Sequence, residues 1–146
     1  MLNIESIISI AQQAAAEIMA LYGHPEQFKV QEKPDHSPVT QADVRASALI
    51  VEALSQLEPQ YPVLSEEQLP DHISNSPFYW LVDPLDGTKE FIAETDEFTV
   101  NIALIEDGLP VMGVVYVPVT GLCYFAERGQ GAFKRDADGN TQAIHV

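Results

Sequence analysis

Apolar residues recur every three or four positions from Ile4 to Tyr22, where Ile4, Ile7, Ile8, Ala11, Ala15, Ile18 and Tyr22 fall on one stripe. That period predicts an amphipathic helix, and Gly23 with Pro25 ends it. The stretch 24–39 is polar and carries Pro34 and Pro38, so it reads as a loop or an irregular excursion toward a site. Helical spacing returns at Ala46, Leu49, Ile50, Ala53, Leu54 and Leu57. Thr40 opens this second helix, with Asp43 three residues on as its capping-box partner.

From residue 61 the period shortens. Tyr61 to Ser65 and Phe78 to Val82 are short apolar runs that each end at acidic residues, the form of buried strands that deliver carboxylates to one edge. Phe98, Val100, Ile102 and Leu104 alternate with Thr99, Asn101, Ala103 and Ile105 ahead of an Asp107-Gly108 turn, which is a hairpin signal and reads as core packing. Val111 to Val117 returns, Thr120-Gly121 turns again, and Leu122 to Ala126 runs back; two short strand-like pieces, 132–134 and 142–146, follow. The predicted fold class is α+β, with two N-terminal helices packed on a largely antiparallel β-sheet.

Composition adds limits. A chain of 146 residues, 46% apolar, suits one globular domain with a real core. Glu5, Gln12, Gln13 and Glu17 interrupt the first apolar stretch, and no basic leader precedes it, so membrane insertion and export are not expected. The single cysteine, Cys123, fits a reducing, cytoplasmic setting and reads as a small strand residue. With 22 acids against 7 bases, the formal charge of -15 repels the backbone of duplex nucleic acid. A small phosphorylated substrate stays open, provided bound metal ions neutralise part of the acidic cluster.

Three segments carry the candidate chemistry. Residues 80–92 read WLVDPLDGTKEFI, which sets Asp83 and Asp86 three apart around Pro84, just past a buried strand. Two such carboxylates, with the Leu85 carbonyl between them, can converge on a hard cation that prefers oxygen, and Mg²⁺ is the commonest in phosphate chemistry. Gly87 and Thr88 then open a short helical turn whose N–H groups suit a phosphate oxygen. Residues 63–67, VLSEE, end another strand in two acids, either of which could complete that site, and residues 37–43, SPVTQAD, place Asp43 in the first turn of a helix. Carboxylates brought from three separate segments suit two-metal phosphoryl hydrolysis.

Together these segments resemble the inositol monophosphatase superfamily of magnesium-dependent phosphatases, over essentially the whole chain, including NIALI at 101–105 and GVVYVP at 113–118. Within it, SPVTQAD, VLSEE and DPLDGTKEF are similar to the CysQ branch of 3'(2'),5'-bisphosphate nucleotidases, and the Lys89-Glu90 pair points toward 3'-phosphoadenosine 5'-phosphate as substrate. The resemblance implies that Glu66, Asp83, the Leu85 carbonyl and Asp86 bind magnesium. It implies that Asp43 holds the Thr88 hydroxyl, which orients and activates the attacking water. Glu67 would stand behind the ligands, the Gly87 and Thr88 amides would hold the scissile phosphate, and water would attack directly without a phosphoenzyme. It further implies the first layer pair of an αβαβα sandwich. No segment matches the family's W-D-x-A motif, since Trp80 belongs to the first motif. Residues 1–146 are therefore expected to be the metal-binding N-terminal domain of a longer phosphatase, with the C-terminal αβ part absent and weak turnover alone.

Bland readings stand beside these. Asp43 can be a helix cap as well as a catalytic partner, Glu66 and Glu67 a solvated loop, and Asp83 and Asp86 a turn. Lys33 could meet phosphate or a further ion but needs no role, and His24, His36, His72 and His145 lack ligand spacing. Three alternatives remain: an inositol monophosphatase-type sugar phosphatase; a haloacid-dehalogenase-type enzyme, whose motif the two residues between Asp83 and Asp86 break; and a non-catalytic cation-binding or homodimer-forming domain.

Overall fold

The computed structural model describes residues 2–27, 30–34, 38–65 and 76–145. Helix α1 spans Ile4–Leu21, capped by Asn3, whose Oδ1 accepts the Ser6 N–H at 2.9 Å. Its stripe of Ile7, Ala11, Ala14 and Ile18 is fully buried. Helix α2 spans Gln41–Ser55 and buries Ala42, Ala46, Ile50 and Leu54 on the matching face. Strands β1 (Gln31–Glu32) and β2 (Pro38–Val39) pair antiparallel within the segment predicted to be irregular, and partly buried Lys33 follows β1.

Seven strands make the main sheet: β3 (Val63–Ser65), β4 (Phe78–Asp86), β5 (Thr99–Glu106), β6 (Leu109–Tyr116), β7 (Cys123–Glu127), β8 (Gly131–Arg135) and β9 (Thr141–Ile144). They lie side by side in chain order, parallel between β3 and β4 and antiparallel elsewhere. The short helix α3, Thr88–Ala93, interrupts this meander between β4 and β5. The α+β class and the antiparallel sheet are as the hydrophobic pattern predicts.

Both long helices cover one face of the sheet. α1 packs on β5, β6 and β7, and α2 on β3 and β4. Between them and the sheet lie Trp80, Val82, Val100, Ile102, Leu104 and Val114, so the β5 alternation does fill the core. By length and hydropathy α1 could cross a membrane. In this fold its apolar side is occupied by α2 and the sheet, the position of a core helix. Cys123 is buried on β7, as a small strand residue should be.

Candidate active site

The N-terminus of α2 is where the local sequence first does more than fold. Thr40 is the N-cap; its hydroxyl oxygen accepts the N–H groups of Ala42 and Asp43 at 3.1 and 3.4 Å. Asp43 closes the capping box, its Oδ2 accepting the Thr40 N–H at 2.8 Å and the Thr40 hydroxyl at 2.7 Å. A cap of this kind is ordinarily exposed, yet Asp43 is only 1% exposed. Its remaining oxygen, Oδ1, accepts the hydroxyl of Thr88 at 2.7 Å, across 45 residues of chain. Three donors therefore satisfy this buried carboxylate, which offsets the cost of removing it from water. Asp43 is both the helix cap and the partner of Thr88.

Thr88 is brought there by the end of β4 and by α3. Strand β4 continues through the whole DPLD motif, further than the apolar run alone predicts. Residues three apart on a regular strand point to opposite faces, so Asp83 and Asp86 should diverge. The register removes that conflict: Asp83 pairs with Asn101 but Asp86 pairs with Thr99, with a bulge between. Asn101 and Thr99 share a face of β5, so the extra residue on β4 turns both aspartates to that same face. It is the face opposite the long helices, because Val100 and Ile102 point the other way into the core. Asp86 is exposed and Asp83 partly buried.

Asp86 has a fixed neighbour. Its Oδ2 accepts the Asn101 side-chain N–H at 3.0 Å, and the Asn101 oxygen accepts the Thr99 hydroxyl at 2.9 Å. Both residues come from the strand whose alternation reads as packing alone. The polar half of that alternation was the available signal, but only the pairing register connects it to Asp86.

Gly87 makes the turn from β4 into α3 with φ +100°, a left-handed conformation that favours glycine. A Cβ there would lie 2.8 Å from the Glu97 carbonyl oxygen, so the close approach needs glycine as well. Thr88 follows as the first residue of α3, its hydroxyl 3.4 Å from the Leu85 carbonyl oxygen. That contact is long. The single hydroxyl proton goes to Asp43, and the Leu85 oxygen keeps its capacity for another partner.

Glu66 and Glu67 lie outside the described residues, as do Ser37, His36 and His72. Ser65, just before that pair, is buried and hydrogen-bonds Ser47 of α2 at 2.8 Å, so β3 is tied to the helix that carries Asp43. His24 is an exposed partner of Glu26. Among the described residues no three Asp, Glu, His or Cys side chains form a metal-holding cluster. Asp83, the Leu85 carbonyl and Asp86 nonetheless offer only oxygen donors, the chemistry that fits Mg²⁺. The largely antiparallel sheet does not suit the parallel-sheet haloacid-dehalogenase alternative.

The inositol monophosphatase family model matches residues 3–146. The chain belongs to the inositol monophosphatase family. The 3'(2'),5'-bisphosphate nucleotidase CysQ of Salmonella typhimurium is 49% identical over 129 residues, 87% of this chain and 52% of its own length. The crystal structure of CysQ from Bacteroides thetaiotaomicron superposes with a TM-score of 0.77 at 43% identity, over 99% of this chain and 52% of that one. An IMPase/NADP phosphatase solved with Mg²⁺ and phosphate gives a TM-score of 0.77 at 25% identity, over 89% of this chain and 49% of that one. This chain thus spans about half the length of the curated relatives it matches.

Proposed function

We propose that this chain carries the metal-and-water side of a Mg²⁺-dependent phosphomonoesterase that hydrolyses 3'-phosphoadenosine 5'-phosphate to AMP and phosphate. The observation that carries the reading is the 2.7 Å hydrogen bond from Thr88 to the buried Asp43, beside the DPLD end of β4. The similarity to two CysQ proteins supports the nucleotide as substrate. In this reading residues 1–146 are the metal-binding α+β domain of a longer phosphatase, which acts in the cytoplasm. Its partner is a small phosphorylated molecule rather than duplex nucleic acid.

Glu66, Asp83, the Leu85 carbonyl and Asp86 would hold Mg²⁺. The ion would polarise the ester, lower the pKa of water and stabilise the leaving oxygen. The chain's own residues set the direction of attack. Thr88 donates its hydroxyl hydrogen bond to Asp43, so the lone pairs on its oxygen are free to accept a hydrogen bond from water. A water held in that way presents its own lone pair to phosphorus, while the Gly87 and Thr88 amides hold phosphate oxygens. As the new P–O bond forms, the bond to the 3'-oxygen breaks, and the proton that the attacking water gives up ends on that oxygen, which leaves as the AMP hydroxyl.

The test is phosphate release by the full-length gene product with Mg²⁺, comparing 3'-phosphoadenosine 5'-phosphate with inositol 1-phosphate. Preference for the nucleotide is expected. Preference for the inositol ester would move the substrate to the sugar phosphatases, and no release from either would leave a non-catalytic cation-binding domain. Thr88→Ala should lower turnover about a hundredfold or more with little change in metal affinity, and Asp86→Asn should damage both.

A further inference from the structure

We infer that Asn101 is a positioning residue for the metal site, acting through Asp86 with its own amide set by Thr99. This inference rests on the proposed function and deepens it.

Asp86 is exposed and stands at the end of β4, where a carboxylate would otherwise rotate freely. The Asn101 amide takes one of its oxygens, Oδ2, at 3.0 Å, which leaves Oδ1 as the oxygen to offer to a cation. The amide itself has a defined orientation. A threonine hydroxyl whose proton goes to an amide must meet the amide oxygen, and Thr99 does so at 2.9 Å, which turns the Asn101 nitrogen toward Asp86. Thr99 and Asn101 are two apart on one strand and therefore share a face, and the bulge in β4 brings Asp86 onto it. Asn101 also sits opposite Asp83 in the register, so one strand position neighbours both proposed aspartate ligands. A neutral donor there restrains Asp86 without adding negative charge to a pair of carboxylates.

Partners of this kind behind a ligating carboxylate usually matter about 10- to 100-fold in metal affinity. The experiment is calorimetric titration of Mg²⁺ into the intact wild-type, Asn101→Ala and Thr99→Val proteins, with phosphate release measured at saturating Mg²⁺. Asn101→Ala is expected to weaken Mg²⁺ binding about tenfold or more, and Thr99→Val to weaken it in the same direction by less. Substrate KM at saturating metal and the melting temperature without metal should hardly move, a split that general damage to the sheet would not give. Unchanged Mg²⁺ affinity in both variants, with a wild type that binds Mg²⁺ and releases phosphate, overturns this inference alone. A wild type that neither binds Mg²⁺ nor releases phosphate overturns the proposed function and the inference together. If Asn101→Ala does not fold, Thr99→Val, which keeps the β-branched shape, still decides.

Discussion

At the scale of the residue, Asp43 meets three donors with two oxygens, and this makes its substitution informative. The Thr40 N–H cannot turn away, so in Asp43→Asn the amide oxygen must take the Oδ2 position and the amide nitrogen must face Thr88. Thr88 then has to accept rather than donate, and its proton points into the site where a water proton should be received. We expect turnover to fall about a hundredfold or more, while the loss of stability, read from chemical denaturation, stays near ~2 kcal/mol. Equal activity in wild type and variant would separate the Asp43–Thr88 bond from the chemistry. Cys123 presents the opposite case. Burial on β7 pushes its thiol up to about 11, so little thiolate is present at neutral pH. Iodoacetamide at about neutral pH should leave the native protein unmodified by mass and alkylate it promptly in denaturant. Fast native alkylation would contradict the buried placement.

At the scale of the element, the site depends on how β4 becomes α3. Gly87 fits because it has no Cβ, and Tyr22 at the end of α1 braces α3 and the approach to β5. Its ring packs against Phe91 and Phe98 with centroids 5.5 and 4.9 Å away, and its hydroxyl donates to Asp96. Gly87→Ala places a methyl against the Glu97 backbone in a left-handed conformation. The expected cost is about 2 kcal/mol or more. Activity should fall further than stability does, because relief of the clash must shift Thr88 from Asp43. A melting temperature and a rate that both match wild type would show that the turn has more room than its geometry implies. The T-x-x-D start of α2 was legible in the sequence because a capping box is local. The bulge was not, because a one-residue slip is decided by the partner strand.

At the scale of the whole molecule, one bridge fastens β8, near the end of the strand order, to the first helix. Arg135 on β8 donates from both terminal nitrogens to the two oxygens of Glu5, each at 2.9 Å, and stacks over Phe125 at 4.9 Å. The hydrogen bonds from Arg135 hold the Glu5 carboxyl below its ordinary value. A lowered value in the folded state means that the contribution is complete above the unfolded carboxylate value and disappears as pH falls through the folded one. Glu5 is largely exposed, so solvent screening keeps the bridge to about 1 kcal/mol or less. Glu5→Gln should therefore be slightly less stable than wild type near neutral pH and equal to it in strong acid, by denaturation under the two conditions. A gap that persists in acid would assign the effect to packing.

The sequence by itself determined the class of the fold and the identity of the motifs, since a 3.6-residue stripe, a two-residue alternation and a capping box each act over a few neighbouring residues. It named Asp43, Asp83, Leu85, Asp86, Gly87 and Thr88 for the same reason. The resemblance already implied that Asp43 holds the Thr88 hydroxyl; only the tertiary structure decided that Asp43 is buried where it does so, that β4 carries a bulge turning Asp83 and Asp86 to one face, and that Asn101 holds Asp86. Those three facts depend on register between segments distant in the chain, and a periodic pattern fixes which side of a strand is apolar without fixing which residue of the next strand stands opposite.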